Sequence, residues 1–226
     1  MSQIKITDLS FTYPGSFDPV FEHCSFRIDT DWKLGFTGRN GRGKTTFLRL
    51  LMGEYEYTGT ITKSVDCDYF PFPVTEPARM TRAVLEELYP ALEDWRLLRE
   101  MAALSLGEAL LERPFSSLSP GEQTKLLLAL LFTRENRFLL IDEPTNHLDL
   151  PGRDLVSRYL NSKRGFILVS HDRAFLELHQ RDFVEPNVIY GHALFLSIHH
   201  VRVFQKADKR ASRVAPRFPF FQKIFF

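Results

Sequence analysis

The sequence GRNGRGKTT occupies residues 38–46 and matches the phosphate-binding loop pattern G-x-x-x-x-G-K-[ST]. The apolar residues 34–36 before it are predicted to form a strand, and residues 47–51 after it begin a helix. This order of strand, loop and helix is the context that the motif requires. A glycine-rich turn in front of an amphipathic helix is the alternative interpretation, and the motifs further along the chain argue against it.

The residue types of this loop suit a bound phosphate. Glycines let the backbone curl so that successive N–H groups point at phosphate oxygens, and the helix N-terminus adds partial positive charge. Lys44 would reach the β and γ phosphates of a nucleotide, and the Thr45 hydroxyl would take one position on Mg²⁺. The predicted nucleotide-binding residues of the loop are Gly38, Asn40, Gly41, Gly43, Lys44, Thr45 and Thr46.

Length and composition are those of a globular protein. The chain has 226 residues, of which 44% are hydrophobic, enough for the core of one moderate domain. We expect neither a signal peptide nor a membrane-spanning segment, because no apolar run has the required layout or length. Cys24 and Cys67 are predicted to be reduced thiols rather than a disulfide. These observations favour a cytoplasmic protein.

Strands and helices can be placed coarsely. Strands are predicted near residues 3–13, 24–28, 58–62 and 65–70, and a helical insert from about 78 to 135. Tyr13 ends the first strand region, where an exposed aromatic ring could stack on adenine. A tyrosine that simply packs within the turn is the alternative.

Two carboxylates follow a buried strand in the segment RFLLIDEP, residues 137–144. In a parallel sheet this places Asp142 and Glu143 at the carboxyl edge, where the phosphate-binding loop also opens. Asp142 would hold the Mg²⁺ shell, and Glu143 would orient or deprotonate the attacking water. The alternative is a solvated strand end that carries two acids by chance.

Two further residues stand at the ends of predicted elements. His171 follows the strand at 165–169, where it could contact a γ-phosphate, although a lone histidine is more often structural. Ser119 can cap a helix that starts near Pro120. That helix N-terminus could hold a second phosphate, and a plain capped helix is the alternative.

Four motifs in this order resemble those of the ABC ATPase family, across roughly residues 1–178: GRNGRGKTT (38–46), LSPGEQ (118–123), FLLIDEPTNHLD (138–149) and VSHDRAF (169–175). The sequence EPTNHLD followed by SHDRAFL is most similar to the ABC-F branch, which lacks membrane-spanning domains. Arg39, Arg42 and the stretch YFPFPV resemble the Lsa/Vga-type members, which protect ribosomes and confer antibiotic resistance.

The resemblance implies a role for each matching residue. Tyr13 corresponds to the aromatic residue that stacks on adenine, and His171 to the switch histidine. Ser119 and Gly121 match the signature loop, which grips the γ-phosphate bound to the opposite domain, and Asp149 resembles the residue that bridges two domains. The implied catalytic residues are Glu143, His171 and Lys44, and the implied metal ligands are Thr45 and Asp142.

The expected fold is α/β, with a mainly parallel sheet carrying the phosphate-binding loop, an antiparallel N-terminal subdomain and a helical insert. The expected function is binding and hydrolysis of ATP with Mg²⁺, in a site completed by head-to-tail dimerisation with a second ABC domain. That domain would come from a homodimer or from a missing second half. The resemblance implies the ribosome as partner of the intact family member. The alternatives are the ATPase subunit of a membrane transporter and a truncated, non-hydrolysing ATP-binding module.

The sequence departs from the family in three ways. Phe72 stands where a glutamine is expected, which puts the usual Mg²⁺ and water contact from that loop in doubt. The chain carries one nucleotide-binding domain where the branch usually has two, so it looks truncated. The segment 179–226 has eight phenylalanines and a basic balance without a family pattern. It is interpreted as non-native sequence read out of frame, with an RNA-contacting tail and a disordered end as alternatives.

Overall fold

The computed structural model describes residues 2–37, 43–171, 175 and 194–197. Residue 37 and residues 194–197 are described by their backbone alone. Its strands are β1 (Gln3–Phe11), β2 (Phe21–Asp29), β3 (Lys33–Thr37), β4 (Thr58–Lys63), β5 (Asp66–Phe70), β6 (Arg137–Asp142), β7 (Phe166–Val169) and β8 (Leu194–Ser197). Its α-helices are α1 (Lys44–Met52), α2 (Thr81–Leu88), α3 (Asp94–Ala103), α4 (Pro120–Thr133) and α5 (Leu150–Asn161). Two short 3₁₀ helices, Glu108–Glu112 and Phe115–Ser117, lie between α3 and α4.

The strands form two sheets. The antiparallel sheet has the order β2-β1-β4, and the larger sheet has the order β5-β6-β7-β3-β8. In the larger sheet β5, β6, β7 and β3 run parallel, and β8 pairs antiparallel with β3. The predicted α/β fold, with a mainly parallel sheet, an antiparallel N-terminal part and helices inserted between β5 and β6, is confirmed.

Both faces of the parallel sheet are buried, which is why its strands are continuous apolar runs. Along β6, Leu139 and Ile141 face a core formed with α2 to α5, whereas Phe138 and Leu140 face a core formed with α1 and the antiparallel sheet. Side chains alternate across a strand, so one apolar run fills two cores. Each fully buried Leu or Phe contributes roughly 1.5–3 kcal/mol.

The described part of the tail, residues 194–197, forms one strand of this fold. β8 lies within the segment 179–226 and extends the parallel sheet beyond β3. The interpretation of that segment as non-native, RNA-contacting or disordered otherwise concerns residues outside the described part of the chain. Among the described residues, no helix is long and apolar enough to cross a membrane.

Candidate functional site

The site lies at the carboxyl edge of the parallel sheet. Asp142 at the end of β6 is paired with Val169 at the end of β7, and Val169 is paired with Phe36 of β3. Because parallel strands end at the same edge, β3, which directly precedes the phosphate-binding sequence, ends at the edge where β6 delivers its two carboxylates, with β7 between them. Sheet order, rather than distance along the chain, therefore assembles the site.

Gly43 is the last residue before α1 and adopts a left-handed backbone conformation, with φ 84°. A Cβ added there would lie 2.6 Å from Cγ1 of Val20 and 3.2 Å from Cζ of Phe21. A side chain would therefore be strained and would also collide with the segment that enters β2. This position requires glycine for reasons of both backbone and space.

Lys44 begins α1 and is buried. Burial lowers the pKa of its ammonium group, while the charges of Glu143 and Asp142 raise it. The two carboxylates therefore hold a buried cation at the helix N-terminus, where an anionic ligand is favoured.

Asp142 accepts two hydrogen bonds on one carboxylate oxygen. Thr45 donates from Oγ1 to Oδ2 over 2.7 Å, and Tyr69 donates from its hydroxyl to the same Oδ2 over 2.9 Å. Burial raises the pKa of Tyr69, and the charge of Asp142 raises it further, so the phenol stays protonated as a donor. The other oxygen, Oδ1, is buried and has no hydrogen-bond partner in the described part of the structure.

Glu143 follows Asp142 in a left-handed conformation, with φ 50°, which is strained for a residue with a side chain. Its amide donates to the carbonyl of Val169, which ties the strained residue to β7. Oε1 lies 3.1 Å from Nε2 of His171, an ion-pair distance without the alignment of a hydrogen bond. Burial raises the pKa of Glu143, and the backbone amide and charge of His171 oppose that rise.

A cleft of about 330 Å³ brings these residues together. This volume is at the lower end of the range for small-molecule sites. The lining residues are Tyr13, Val20, Gly43, Lys44, Thr45, Thr46, Asp142, Glu143, Val169 and His171. The predicted residues Gly38, Asn40 and Gly41 lie outside the described residues, so their placement stays a prediction.

Tyr13 is both packed and exposed. Its ring lies edge-on to Phe11 and to Tyr55, with centroid distances of 4.9 and 5.7 Å, and its hydroxyl is 2.7 Å from Oγ1 of Thr46. The side chain remains 37% exposed and lines the cleft. A packed aromatic ring that stays partly exposed at the cleft is suited to stack on a planar base.

The donor set fits Mg²⁺ with a phosphate ligand. A hydroxyl and a carboxylate are the hard oxygen ligands that Mg²⁺ prefers, and the unpaired Oδ1 of Asp142 points to a missing positive partner. Among the described residues, no group of three or more His, Cys, Asp or Glu could hold a metal by itself. Thr45 and Asp142 would therefore supply part of the shell, and phosphate oxygens and water the rest.

Ser119, Gly121 and Asp149 form a separate surface, which we call the signature surface. Ser119 caps α4 in a reciprocal capping box with Glu122, and Asp149 caps α5 by accepting from the amide of Gly152. A Cβ on Gly121 would lie 3.4 Å from the carbonyl oxygen of His147, so α4 packs closely on the loop that leads to Asp149. None of the three is among the described residues that line the cleft.

Phe72 is not among the described residues that line the cleft. It packs against the helical core, and the Arg134 guanidinium lies 5.2 Å from its ring centroid. Arg134 also lies 4.8 Å from the ring of Tyr89 and donates to Asp68 over 2.9 Å. The side chain at this position therefore completes an aromatic and guanidinium stack rather than the nucleotide site.

Three residues of the site were missed in the sequence. Val169 lines the cleft from the end of β7, and the sequence marks it only as part of a buried strand. Val20 lines the cleft from the loop between β1 and β2, and no motif marks it. Tyr69 lies inside a predicted strand, where its aromatic ring reads as ordinary core. The pairing of β5 with β6 could have suggested that its hydroxyl reaches Asp142, but strand order is not visible in the sequence.

Together, the phosphate-binding loop at α1, the acidic end of β6 and the histidine after β7 define a P-loop nucleotide-binding domain. The sequence model of the family described as "ABC transporter" matches residues 21–146. The chain therefore belongs to the ABC family of ATP-binding domains, and the curated relatives that follow are members of its ABC-F branch.

These relatives come from plants, animals and bacteria. ABC transporter F family member 5 of Arabidopsis thaliana is 30% identical over 78% of this chain and 26% of its own length. ATP-binding cassette sub-family F member 3 of Mus musculus is 29% identical over 77% of this chain and 26% of its own length. Ribosome protection protein VmlR of Bacillus subtilis is 33% identical over 70% of this chain and 30% of its own length. The chain thus spans between a quarter and a third of the length of these relatives.

Solved structures agree on the fold. A protein described as a cobalt transport ATP-binding protein is 25% identical, with a TM-score of 0.61 over 78% of this chain and 73% of its own. A dimeric bacterial ABC transporter cassette is 17% identical, with a TM-score of 0.63 over 77% of this chain and 90% of its own. The second likeness shows the fold alone.

Proposed function

We propose that this domain binds ATP with Mg²⁺ and hydrolyses it in a site completed by a second ABC domain, as part of a cytoplasmic, ribosome-associated ABC-F protein. The observation that carries the proposal is the contact of Thr45 and Asp142 beside Glu143 and His171. It combines a hydroxyl and a carboxylate suited to Mg²⁺ with a buried carboxylate that can act on water.

The cleft would divide its work among its residues. The face of Tyr13 would carry the base, and Lys44 with the amides of the loop would hold the β and γ phosphates. When bound, Mg²⁺ would neutralise phosphate charge. Glu143 would orient the attacking water and take its proton, and the raised pKa of this carboxyl makes it a better base near neutral pH.

The signature surface would serve the partner domain. Ser119 and Asp149 are exposed and lie outside the cleft, so they are open to a ligand held by another domain. The α4 N-terminus adds partial positive charge to such a contact. A second ABC domain placed head-to-tail would set each cleft against the other domain's signature surface.

The test compares ATP binding, ATP hydrolysis and light scattering of the wild type and E143Q. We expect E143Q to lose turnover by roughly 100-fold or more, to retain ATP binding and to accumulate ATP-bound dimers. E86Q, which changes an exposed glutamate on α2, is the matched control and should behave as wild type. Turnover in E143Q at the wild-type rate would refute the role of Glu143.

A non-hydrolysing ATP-binding module is the second candidate. It is supported by Phe72, which packs in the helical core instead of reaching the cleft. ATP binding by the wild type without turnover and without dimers would establish this candidate in place of the first.

The ribosome is proposed as partner because one of the relatives is a ribosome protection protein. Co-sedimentation of the E143Q chain with purified ribosomes, with and without ATP, tests this step. We expect ATP-dependent sedimentation. Co-purification with a membrane permease, with no ribosome binding, would favour the ATPase subunit of a transporter.

A further inference from the structure

Tyr69, the first residue of the stretch YFPFPV, makes a contact at the proposed metal site that none of the four family motifs includes. Its side chain leaves β5 on the face that also carries α1, and its hydroxyl donates to Oδ2 of Asp142 over 2.9 Å. β5 and β6 are neighbouring parallel strands, with Tyr69 paired to Leu140. The side chains of Tyr69 and Asp142 therefore meet at the edge where the cleft opens.

Two donors on one oxygen fix the direction of the Asp142 carboxylate. Thr45 and Tyr69 both donate to Oδ2, and Oδ1 is left buried and without a partner among the described residues. A carboxylate held at one oxygen by two hydrogen bonds cannot rotate freely, so its second oxygen keeps one orientation. Thr45 donates its hydroxyl hydrogen to Asp142, which leaves the lone pairs of Oγ1 for a cation.

We infer that Tyr69 is a positioning residue for the metal site: its hydroxyl orients Asp142 and thereby strengthens binding of the nucleotide-bound Mg²⁺. The inference rests on the proposed ATP site and adds a residue to it. Phe72, which stands where the resemblance expects a glutamine, packs in the helical core, so the contact from β5 to the site comes from inside the strand.

The competing explanation is purely structural. The hydroxyl of Tyr69 could do no more than satisfy a half-buried phenol and hold β5 to β6. Tyr159 provides the matched comparison, because its buried hydroxyl also donates to a carboxylate, Oε2 of Glu100, over 2.8 Å. The difference lies in the carboxylates: Asp142, the partner of Tyr69, lines the cleft, whereas Glu100 on α3 is not among the described residues that line it.

The experiment uses the E143Q chain as common background, so that ATP is not consumed. The variants are Y69F, D142N, the two combined, and Y159F as control. Binding of a fluorescent ATP analogue is measured in EDTA, and Mn²⁺ affinity is measured by electron paramagnetic resonance with ATP at saturation. Circular dichroism and thermal unfolding check that each variant is folded.

We expect Y69F to weaken Mn²⁺ binding roughly 10-fold, the lower end for loss of an outer partner of a metal ligand. ATP affinity in EDTA should not change, and Y159F should match the parent in both measurements. In the D142N background the removal of the Tyr69 hydroxyl should have no further effect, because it acts through the carboxylate.

Three results would overturn the inference and leave the proposed function standing. The inference is wrong if Y69F binds Mn²⁺ as tightly as the parent. It is also wrong if Y69F weakens Mn²⁺ binding by the same factor with and without D142N. A loss of ATP affinity in EDTA that matches the loss in Mn²⁺ would show a general structural effect. Failure of the parent chain to bind ATP at all would refute the proposed function, and this inference with it.

Discussion

Oε1 of Glu143 lies 3.1 Å from Nε2 of His171, although the two residues follow different strands of the sheet. The amide of Glu143 donates a hydrogen bond to the carbonyl of Val169, two residues before His171. This bond joins the end of β6 to the end of β7 and so keeps Glu143 near His171. The contact lacks hydrogen-bond alignment. Catalytic hydrogen bonds are often loose in the absence of ligand and tighten when the substrate is bound.

Replacement of His171 should therefore act on turnover more than on binding. We expect H171N to reduce ATP hydrolysis roughly 100-fold, because the substitution removes the partner of the proposed general base and the proposed contact to the γ-phosphate. Steady-state kinetics and ATP binding provide the measurement. H23N is the control, because His23 is exposed on the antiparallel sheet with φ 48°, a conformation that asparagine tolerates. Equal loss in both variants would contradict the role of His171.

Ser119 combines a helix cap with a proposed phosphate contact, and two substitutions separate them. S119A should destabilise the domain by about 1 kcal/mol, because the capping box with Glu122 is lost. S119N should recover most of that stability, since asparagine is an equally good cap. Chemical denaturation measures this difference.

The same two variants test the signature surface through turnover. Both remove the hydroxyl, so both should lower the ATP hydrolysis of a dimeric sample by a similar factor. Wild-type turnover in S119N together with weak turnover in S119A would mean that the serine acts as a cap alone.

Restoring the expected glutamine at position 72 should not improve the site. Phe72 packs on the helical core and stacks with Arg134, so F72Q should destabilise the domain by about 1–2 kcal/mol without raising turnover. F72L keeps apolar area but not the ring, so its stability should lie between that of the wild type and that of F72Q. Denaturant unfolding and an ATPase assay decide the matter, and faster hydrolysis by F72Q would show that the loop can turn toward the cleft.

The two cysteines should differ in reactivity, and both are free thiols as predicted. Burial raises the pKa of Cys67 to about 11, so at pH 8 its thiolate fraction is lower than that of an ordinary thiol by a factor on the order of 100. Cys24 is only half-buried. With iodoacetamide at pH 8 we expect rapid labelling of Cys24 and protection of Cys67, with both labelled in urea. Mass spectrometry of digested samples reads this out, and equal labelling in the native state would contradict the burial of β5.

Local sequence determined much of this protein. The loop pattern at 38–46 implies a strand before it and a helix after it, and α1 begins at Lys44 within the motif itself. The two acids come at the end of the apolar run of β6, which is where a parallel strand buried on both faces can carry charge. Ser119 predicts the start of α4, because a capping box depends on two residues three positions apart in the sequence.

Only the tertiary structure decided which side chains meet. Tyr69 and Asp142 are 73 residues apart, and their hydrogen bond exists because β5 and β6 are neighbours in the sheet. Phe72 follows β5 as well, but it packs on the helical core, where the Arg134 guanidinium lies over its ring and over the ring of Tyr89. Periodicity and capping are set by near neighbours in the chain, whereas strand order follows from how the whole domain buries its apolar faces. For that reason the motifs indicate the chemistry of the site, whereas the tertiary structure determines which other residues, such as Tyr69, contact it.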